Sequence, residues 1–194
     1  MKKAGLFLGS FNPIHNGHLA LAEYIKKHCN LDEIWFVVSP NNPLKDSRIL
    51  LDEQLRLNMT REVLKEYDSF KVTDIEFLLP KPSYTINTLH ALSKKYKDYS
   101  FTLIIGSDNM NIFDKWYKWE EIYNNYPVVV YPRGEDDLCR LSEKYPEMKV
   151  LNNAPHYDIS STMIRKLYKE GGNFSLFVPK YVNKVLITQN NLWE

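Results

Sequence analysis

The chain of 194 residues has few cysteines, no charge surplus and no long apolar run. Its two cysteines, Cys29 and Cys139, form no CxxC pair, which disfavours a disulfide scaffold or a cysteine-rich zinc site and favours thiols in a reducing cytoplasm. With 25 basic and 24 acidic residues it lacks the positive surplus of nucleic-acid-binding proteins. No stretch approaches the roughly 20 apolar residues of a membrane span, and no signal-peptide cleavage site follows the N-terminal apolar run. We therefore expect a cytoplasmic protein without nucleic-acid or membrane partners.

Short apolar runs alternate with longer helical patterns along the chain. Strands are predicted at residues 3–9, 33–39, 70–74, 100–105 and 128–131, with a short sixth at 150–151. Helices are predicted at residues 17–27, 52–67, 85–96, 161–170 and 179–189, with a tryptophan-rich helical region after the fourth strand. This alternation predicts one α/β domain over residues 1–194, a doubly wound parallel sheet of five to six strands with helices on both faces.

Polar turns follow the first, second and fourth predicted strands. The first strand ends at Gly9, Ser10 and Phe11, the second runs into residues 40–45, and the fourth ends at Gly106-Ser107-Asp108. Ligands of such sheets bind at the carboxyl ends of the strands. We therefore expect one site that these three turns share.

Two histidines, His15 and His18, stand where the first strand passes into the first helix. They are three residues apart and fall on one side of the first helical turn, while Gly17 lets a ligand approach the backbone. Free amides and the helix dipole make this a natural phosphate site. A zinc site lacks a convincing third ligand, and HEXXH is absent. Two histidines that only cap the helix remain the alternative.

The segment ISSTMIR, residues 159–165, opens the penultimate helix. Ser160 or Ser161 can cap this helix, and Arg165 lies one turn further along. Alone, the pattern fits an ordinary capped helix. Together with the histidine turn, it predicts two helix N-termini that converge on one polyphosphate.

These segments resemble the bacterial nicotinate-nucleotide adenylyltransferases of the HxGH nucleotidyltransferase superfamily. The resemblance rests on GSFNPIHNGHL and ISSTMIR and on five further segments in the family's order, which are SPNNPLK, SYTINTL, IIGSDNMNIFDKW, YPR and VPKYV. It covers nearly the whole chain. It implies a Rossmann-like fold and transfer of the adenylyl group of ATP to nicotinate mononucleotide, with Mg²⁺ bound mainly through the ATP phosphates.

The resemblance also implies roles for individual residues. His15 and His18 match the catalytic histidines. The implied ATP-binding residues are Gly9, Ser10, Phe11, His15, His18, Gly106, Asp108, Ile159, Ser160, Ser161 and Arg165, and the C-terminal helices of about residues 159–194 complete this site. The implied nicotinate mononucleotide-binding residues are Asn42, Lys45, Thr85, Trp116, Tyr117 and Arg133. No protein side chain is assigned to the metal, and a homo-oligomer is compatible with the pattern.

Two departures from the family pattern stand out. Many relatives carry aspartate at the position of Asn12, so Asn12 is not assigned as a metal ligand. A histidine often precedes the basic residue of the second loop, whereas Leu44 precedes Lys45 here.

Four alternatives remain open on the sequence. The first two are an enzyme for nicotinamide mononucleotide and an enzyme that accepts both mononucleotides, because the two substrates differ only in a carboxylate or an amide on the ring. A pantetheine-phosphate adenylyltransferase shares the histidine turn but is not expected to carry SYTINTL or the DKW aromatic. A non-catalytic nucleotide-binding module would not need His15, His18, Lys45 and Arg165 together.

Overall fold

A computed structural model describes residues 1–40, 49–134, 136, 138–189 and 191–193. Within these ranges, six parallel strands form one sheet in the order β3-β2-β1-β4-β5-β6. The strands are β1 (Lys2–Gly9), β2 (Glu33–Val38), β3 (Phe70–Thr73), β4 (Tyr99–Gly106), β5 (Val128–Tyr131) and β6 (Lys149–Val150). The predicted α/β, Rossmann-like parallel sheet is confirmed.

Helices connect the strands and close the chain. They are α1 (Asn16–His28), α2 (Glu53–Leu64), α3 (Thr85–Lys95), α4 (Ser107–Met110), α5 (Trp119–Asn125), α6 (Leu138–Lys144), α7 (Ser161–Lys169) and α8 (Lys180–Thr188). Short 3-10 turns at Ile75–Leu78 and Phe113–Lys115 follow β3 and α4. Asp52 caps α2, because its carboxylate accepts the amide protons of Gln54 and Leu55 at 2.9 and 3.0 Å.

Two apolar cores lie on opposite faces of the sheet, because successive strand residues point to opposite sides. Phe7 of β1 joins the core that packs under α1, α2, α7 and α8, whereas Leu6 joins the core under α3, α4, α5 and α6. The two faces are therefore both covered, as a parallel sheet requires.

Helix α6 was missed at the sequence level. It spans seven residues, fewer than a periodicity search needs for a clear result. Leu138, Leu141 and Tyr145 recur at spacings of three and four, and Leu141 and Tyr145 are buried. This short apolar stripe was the available signal.

The strand order places β1 at the centre, between β2 and β4. Connections leave β1 toward one side of the sheet and β4 toward the other. The carboxyl ends of β1 and β4 thus form the crevice where such folds bind nucleotides.

Candidate active site

The turn after β1 brings its side chains into a compact cluster. Phe11 adopts a left-handed backbone conformation with φ of 43°, which folds its ring back over Gly9. A Cβ on Gly9 would lie 2.9 Å from that ring. The Phe11 ring also packs edge-on against His18, with centroids 5.2 Å apart. Glycine at position 9 is therefore required for this close approach.

His15 and His18 form a stacked pair at the start of α1. Their ring centroids lie 3.6 Å apart, with an angle of 26° between the planes. The backbone N–H of His15 donates to Nδ1 of His18 at 3.2 Å. Because Nδ1 accepts this bond, a neutral His18 carries its proton on Nε2. The turn thus fixes both the orientation of the His18 ring and the nitrogen that donates.

His15 is buried, with 5% of its surface exposed. Burial, and after it the positive charge of Arg133, lower the pKa of His15 to about 3. The imidazole of His15 is therefore neutral at neutral pH and acts as a neutral hydrogen-bonding group.

The N-terminus of α7 docks directly on this turn. Ser160 caps α7 by accepting the amide proton of Met163 at 3.1 Å, and Ser161 Oγ donates to the carbonyl of Pro13 at 2.9 Å. A Cβ on Gly17 would lie 3.5 Å from Cβ of Ile159. The structure thus brings the N-termini of α1 and α7 together, the arrangement expected from the two sequence motifs.

Arg165 reaches from α7 back to the same turn. Its Nη1 donates to the carbonyl of Asn12 at 2.9 Å, and its Nη2 donates to Thr162 Oγ1 at 3.0 Å. These bonds fix the guanidinium beside the histidine turn.

Asn12 joins four parts of the chain. Its Nδ2 donates to the carbonyl of Ile49 at 2.7 Å, and its Oδ1 accepts from the amide of Leu51 at 3.0 Å and from Trp193 Nε1 at 3.4 Å. Its own carbonyl accepts from Arg165. Asparagine fits here because one side-chain end must donate and the other must accept, which an aspartate cannot do.

The turn after β4 is fastened to the end of β5. Ser107 Oγ donates to the carbonyl of Arg133 at 3.0 Å and accepts its amide proton at 2.8 Å. Arg133 Nη1 also pairs with Asp108 Oδ2 at 3.3 Å. A Cβ on Gly106 would overlap the Asp108 carboxylate, so a larger residue at this turn would have to displace that side chain.

Arg133 therefore lies beside Gly106 and Asp108, two of the residues that the resemblance assigns to ATP. The resemblance assigned it to the mononucleotide pocket, but the structure places it against Gly106 and Asp108 and near enough to affect His15. This position follows from the pairing of β4 with β5. The sequence predicted both strands but neither their pairing nor their register.

Three residues expected to bind the mononucleotide lie near one another. Thr85 is the first residue of α3, and the ring of Tyr84 before it packs against Tyr117 with centroids 4.7 Å apart. Trp116 is half-buried, and its ring packs on Phe113 at 5.4 Å. Its Nε1 is buried without a hydrogen-bond partner in the described ranges. Asn42 and Lys45 lie outside the described residues.

Arg56 is a residue of this region that the sequence did not reveal. It is 1% exposed and donates to four backbone carbonyls. Its Nη1 bonds Ser10 and Ser39 at 2.6 and 2.7 Å, while Nη2 bonds Pro40 at 2.8 Å and Nε bonds Leu51 at 2.9 Å. It thus holds the ends of β1 and β2 together. The sequence feature that could have indicated this role is the position of Arg56 on the apolar face of α2.

Comparison with known proteins identifies the family. A cytidylyltransferase-like family model matches residues 6–167. A relative from Flavobacterium johnsoniae, named as a probable nicotinate-nucleotide adenylyltransferase, is 43% identical over 193 residues that cover 99% of each chain. The chain belongs to the nicotinate-nucleotide adenylyltransferase family.

Other relatives of that family agree with this membership. One from Bacteroides fragilis, with the same name, is 43% identical over 189 residues, 97% of this chain and 93% of its own. Among solved structures, the Plasmodium falciparum nicotinic acid mononucleotide adenylyltransferase complexed with NaAD has the same fold. Its TM-score is 0.81 at 20% identity, and the match covers 100% of this chain and 98% of that one. Membership makes the chain a nucleotidyltransferase.

The described residues hold no cluster of three or more His, Cys, Asp and Glu side chains suited to a metal ion. Among the helices of the same ranges, none has the length and apolar character needed to cross a bilayer.

Proposed function

We propose that the chain transfers the adenylyl group of ATP to nicotinate mononucleotide, which yields nicotinate adenine dinucleotide and pyrophosphate in NAD biosynthesis. The observation that carries this proposal is the similarity to nicotinate-nucleotide adenylyltransferases at 43% identity over 99% of both chains. The proposal takes residues 1–194 as one domain in which residues 159–194 complete the ATP site. It places the enzyme in the cytoplasm, in keeping with its two scattered cysteines.

In the proposed reaction, a 5′-phosphate oxygen of the mononucleotide attacks the α-phosphorus of ATP. A new P–O bond forms as the bond from the α-phosphorus to the bridging oxygen breaks, and pyrophosphate leaves with that electron pair. The attacking group is already an anion, so the protein need not supply a nucleophile. Its task is to position the two phosphates and to balance charge.

The histidine turn supplies donors for that charge. His18 donates from Nε2, and the N-termini of α1 and α7, whose dipoles favour anions, meet at the same turn. Neutral His15 supports His18 by stacking and through its backbone N–H. Arg165 and Ser161 extend the site toward the phosphates that leave.

We propose that Mg²⁺ enters this site bound to the phosphates of ATP. ATP-dependent transferases generally work with a divalent cation, and Mg²⁺ commonly binds through substrate phosphates and few protein oxygens. The side chain of Asn12 is engaged by backbone groups and Trp193, so it is not a free ligand. When bound, the ion neutralises charge on the phosphates.

The choice of acid over amide is assigned to the pocket around Thr85, Trp116 and Tyr117, with Asn42 and Lys45 as further members. A ring carboxylate only accepts hydrogen bonds, so it suits the backbone amides of this pocket. A carboxamide would turn an NH₂ group toward at least one of these donors. Such a mismatch costs about 1–3 kcal/mol.

The first test is turnover of ATP with each mononucleotide, measured as pyrophosphate release and dinucleotide formation. We expect kcat/KM to favour nicotinate over nicotinamide mononucleotide by at least about tenfold. Equal efficiency would make the chain a dual-specificity enzyme. Turnover only with pantetheine phosphate, or none with any acceptor, would overturn the proposal.

Arg165→Ala is expected to raise the KM for ATP by roughly ten- to a hundredfold, with a smaller change in kcat. An arginine on a triphosphate makes charge-assisted bonds in the ground and transition states alike, and each is worth about 1.5–3 kcal/mol. Lys166→Ala is the matched control, because Lys166 follows on the same helix with 74% of its side chain exposed. A rise in the KM for the mononucleotide instead would move Arg165 to the other substrate.

A further inference from the structure

A buried carboxyl group lies beside the mononucleotide residues, and the proposed mechanism does not use it. Glu76 stands in the 3-10 turn Ile75–Leu78 that follows β3, and only 2% of its surface is exposed. Its Oε1 accepts a hydrogen bond from Thr88 Oγ1 at 2.8 Å. Carboxylates are rarely buried without a specific partner.

The partner Thr88 belongs to the helix that carries Thr85. Thr88 is fully buried and stands three residues after Thr85, so the two share one face of α3. The bond to Glu76 therefore ties the N-terminal part of α3 to the 3-10 turn that follows β3.

The carboxyl group also contacts the end of β2. The side chain of Ser39, which is 8% exposed, lies close enough to the Glu76 carboxylate to lower its pKa, while Oε2 of Glu76 has no hydrogen-bond partner among the described residues. Burial raises the pKa of Glu76, and the hydrogen bond from Thr88 and the nearby Ser39 side chain oppose that rise. Ser39 is the residue from which the chain proceeds toward Asn42 and Lys45.

We propose that Glu76 is a positioning residue for the mononucleotide, which holds the start of α3 and the end of β2 at a fixed spacing. Under the proposed function, α3 carries Thr85, and in the sequence the end of β2 leads to Asn42 and Lys45, which lie outside the described residues. Glu76 touches neither substrate; it acts through Thr88 and Ser39. The ATP residues Ser161 and Arg165 have contacts of their own, to Pro13 and Asn12, and these contacts involve neither Glu76 nor Thr88.

This role predicts a selective effect on one substrate. Thr88→Val keeps the shape of the side chain but removes the hydroxyl group. We expect it to raise the KM for nicotinate mononucleotide about tenfold, the usual effect of losing one buried hydrogen bond, and to change the KM for ATP less than about twofold. Thr88→Ser restores the hydroxyl group and should return the mononucleotide KM to near its wild-type value.

Thr60→Val is the matched control. Thr60 is also a fully buried helical threonine, and its Oγ1 donates to the carbonyl of Arg56 at 2.8 Å within its own helix. It should leave the ratio of the two KM values unchanged. Glu76→Gln keeps an oxygen that can accept from Thr88, so it should change the ratio less than Thr88→Val.

Calorimetric titration with nicotinate mononucleotide, and separately with a non-hydrolysable ATP analogue, checks the effect without turnover. The proposal is overturned if Thr88→Val weakens the binding of both ligands equally. It is also overturned if thermal stability falls while both affinities stay unchanged, because the role of Thr88 would then be only structural. Should Thr88→Val fail to fold, Ser39→Ala must show the same selective loss, and its absence overturns the proposal. Wild-type turnover tests the proposed function separately, because the variants are judged only by the ratio of the two affinities.

Discussion

Replacing His18 by alanine is expected to lower kcat about 100- to 1000-fold, while the KM for ATP changes much less. Removing a donor that stabilises charge in the transition state typically costs about 2.7–4 kcal/mol. His18 fits that role because the backbone N–H of His15 occupies its Nδ1 and leaves the proton on Nε2. Steady-state kinetics at saturating ATP and mononucleotide measure the effect.

The control for this substitution is His28→Ala. His28 lies at the opposite end of α1, where it stacks on Tyr24 and its Nδ1 lies 2.8 Å from the Tyr24 carbonyl. It should retain wild-type kcat. A His18→Ala variant with wild-type kcat would remove His18 from the mechanism, and a large rise in KM with unchanged kcat would make it a ground-state binding residue.

Replacing Arg56 by methionine is expected to lower the free energy of unfolding by at least about 3 kcal/mol. The substitution keeps an unbranched apolar stem but leaves four carbonyls without their donor, and each unpaired buried group costs about 1–3 kcal/mol. Arg56→Lys should recover only part of the loss, because an ammonium group cannot reach four acceptors in the fixed geometry of a guanidinium. Urea denaturation followed by circular dichroism measures these changes.

Arg61→Met is the matched control on the same helix. Arg61 is exposed, with a 3.4 Å contact to Asn58 and a 3.8 Å pair with Asp74. Exposed pairs of this kind contribute little, so its effect should stay below about 1 kcal/mol. Similar losses for the two arginines would mean that the carbonyl network of Arg56 contributes nothing specific.

The sequence predicted the sheet because its signal is local. Residues 33–38 and 128–131 are short apolar runs rich in β-branched side chains, and both are strands. The fold brings the turns after β1 and β4 to one edge of the parallel sheet, which is where the sequence predicts the site. The convergence of α1 and α7 needed the two motifs together.

The contacts that the sequence did not predict join residues far apart along the chain, and local sequence patterns contain no information about such pairs. Arg133 pairs with Asp108 across two strands whose register was unknown, and Arg56 bonds backbone carbonyls, which every residue offers alike. Asn12 was noted only as a departure from the family pattern. Its bonds to Ile49, Leu51 and Trp193 explain why an amide suits this position.

The hydrogen bond between Asn12 and Trp193 joins residues 181 positions apart. During synthesis a chain emerges from its N-terminus, and early segments can begin to fold before later ones exist. Strands β1 and β2 can pair early. The hydrogen bonds from Arg165 and Trp193 to Asn12 can form only after the C-terminal part of the chain has emerged. A ribosome-bound nascent chain that ends before residue 159 would therefore carry much of the sheet but lack the α7 part of the proposed phosphate site. If the proposed site binds ATP, we expect this binding to begin late in translation.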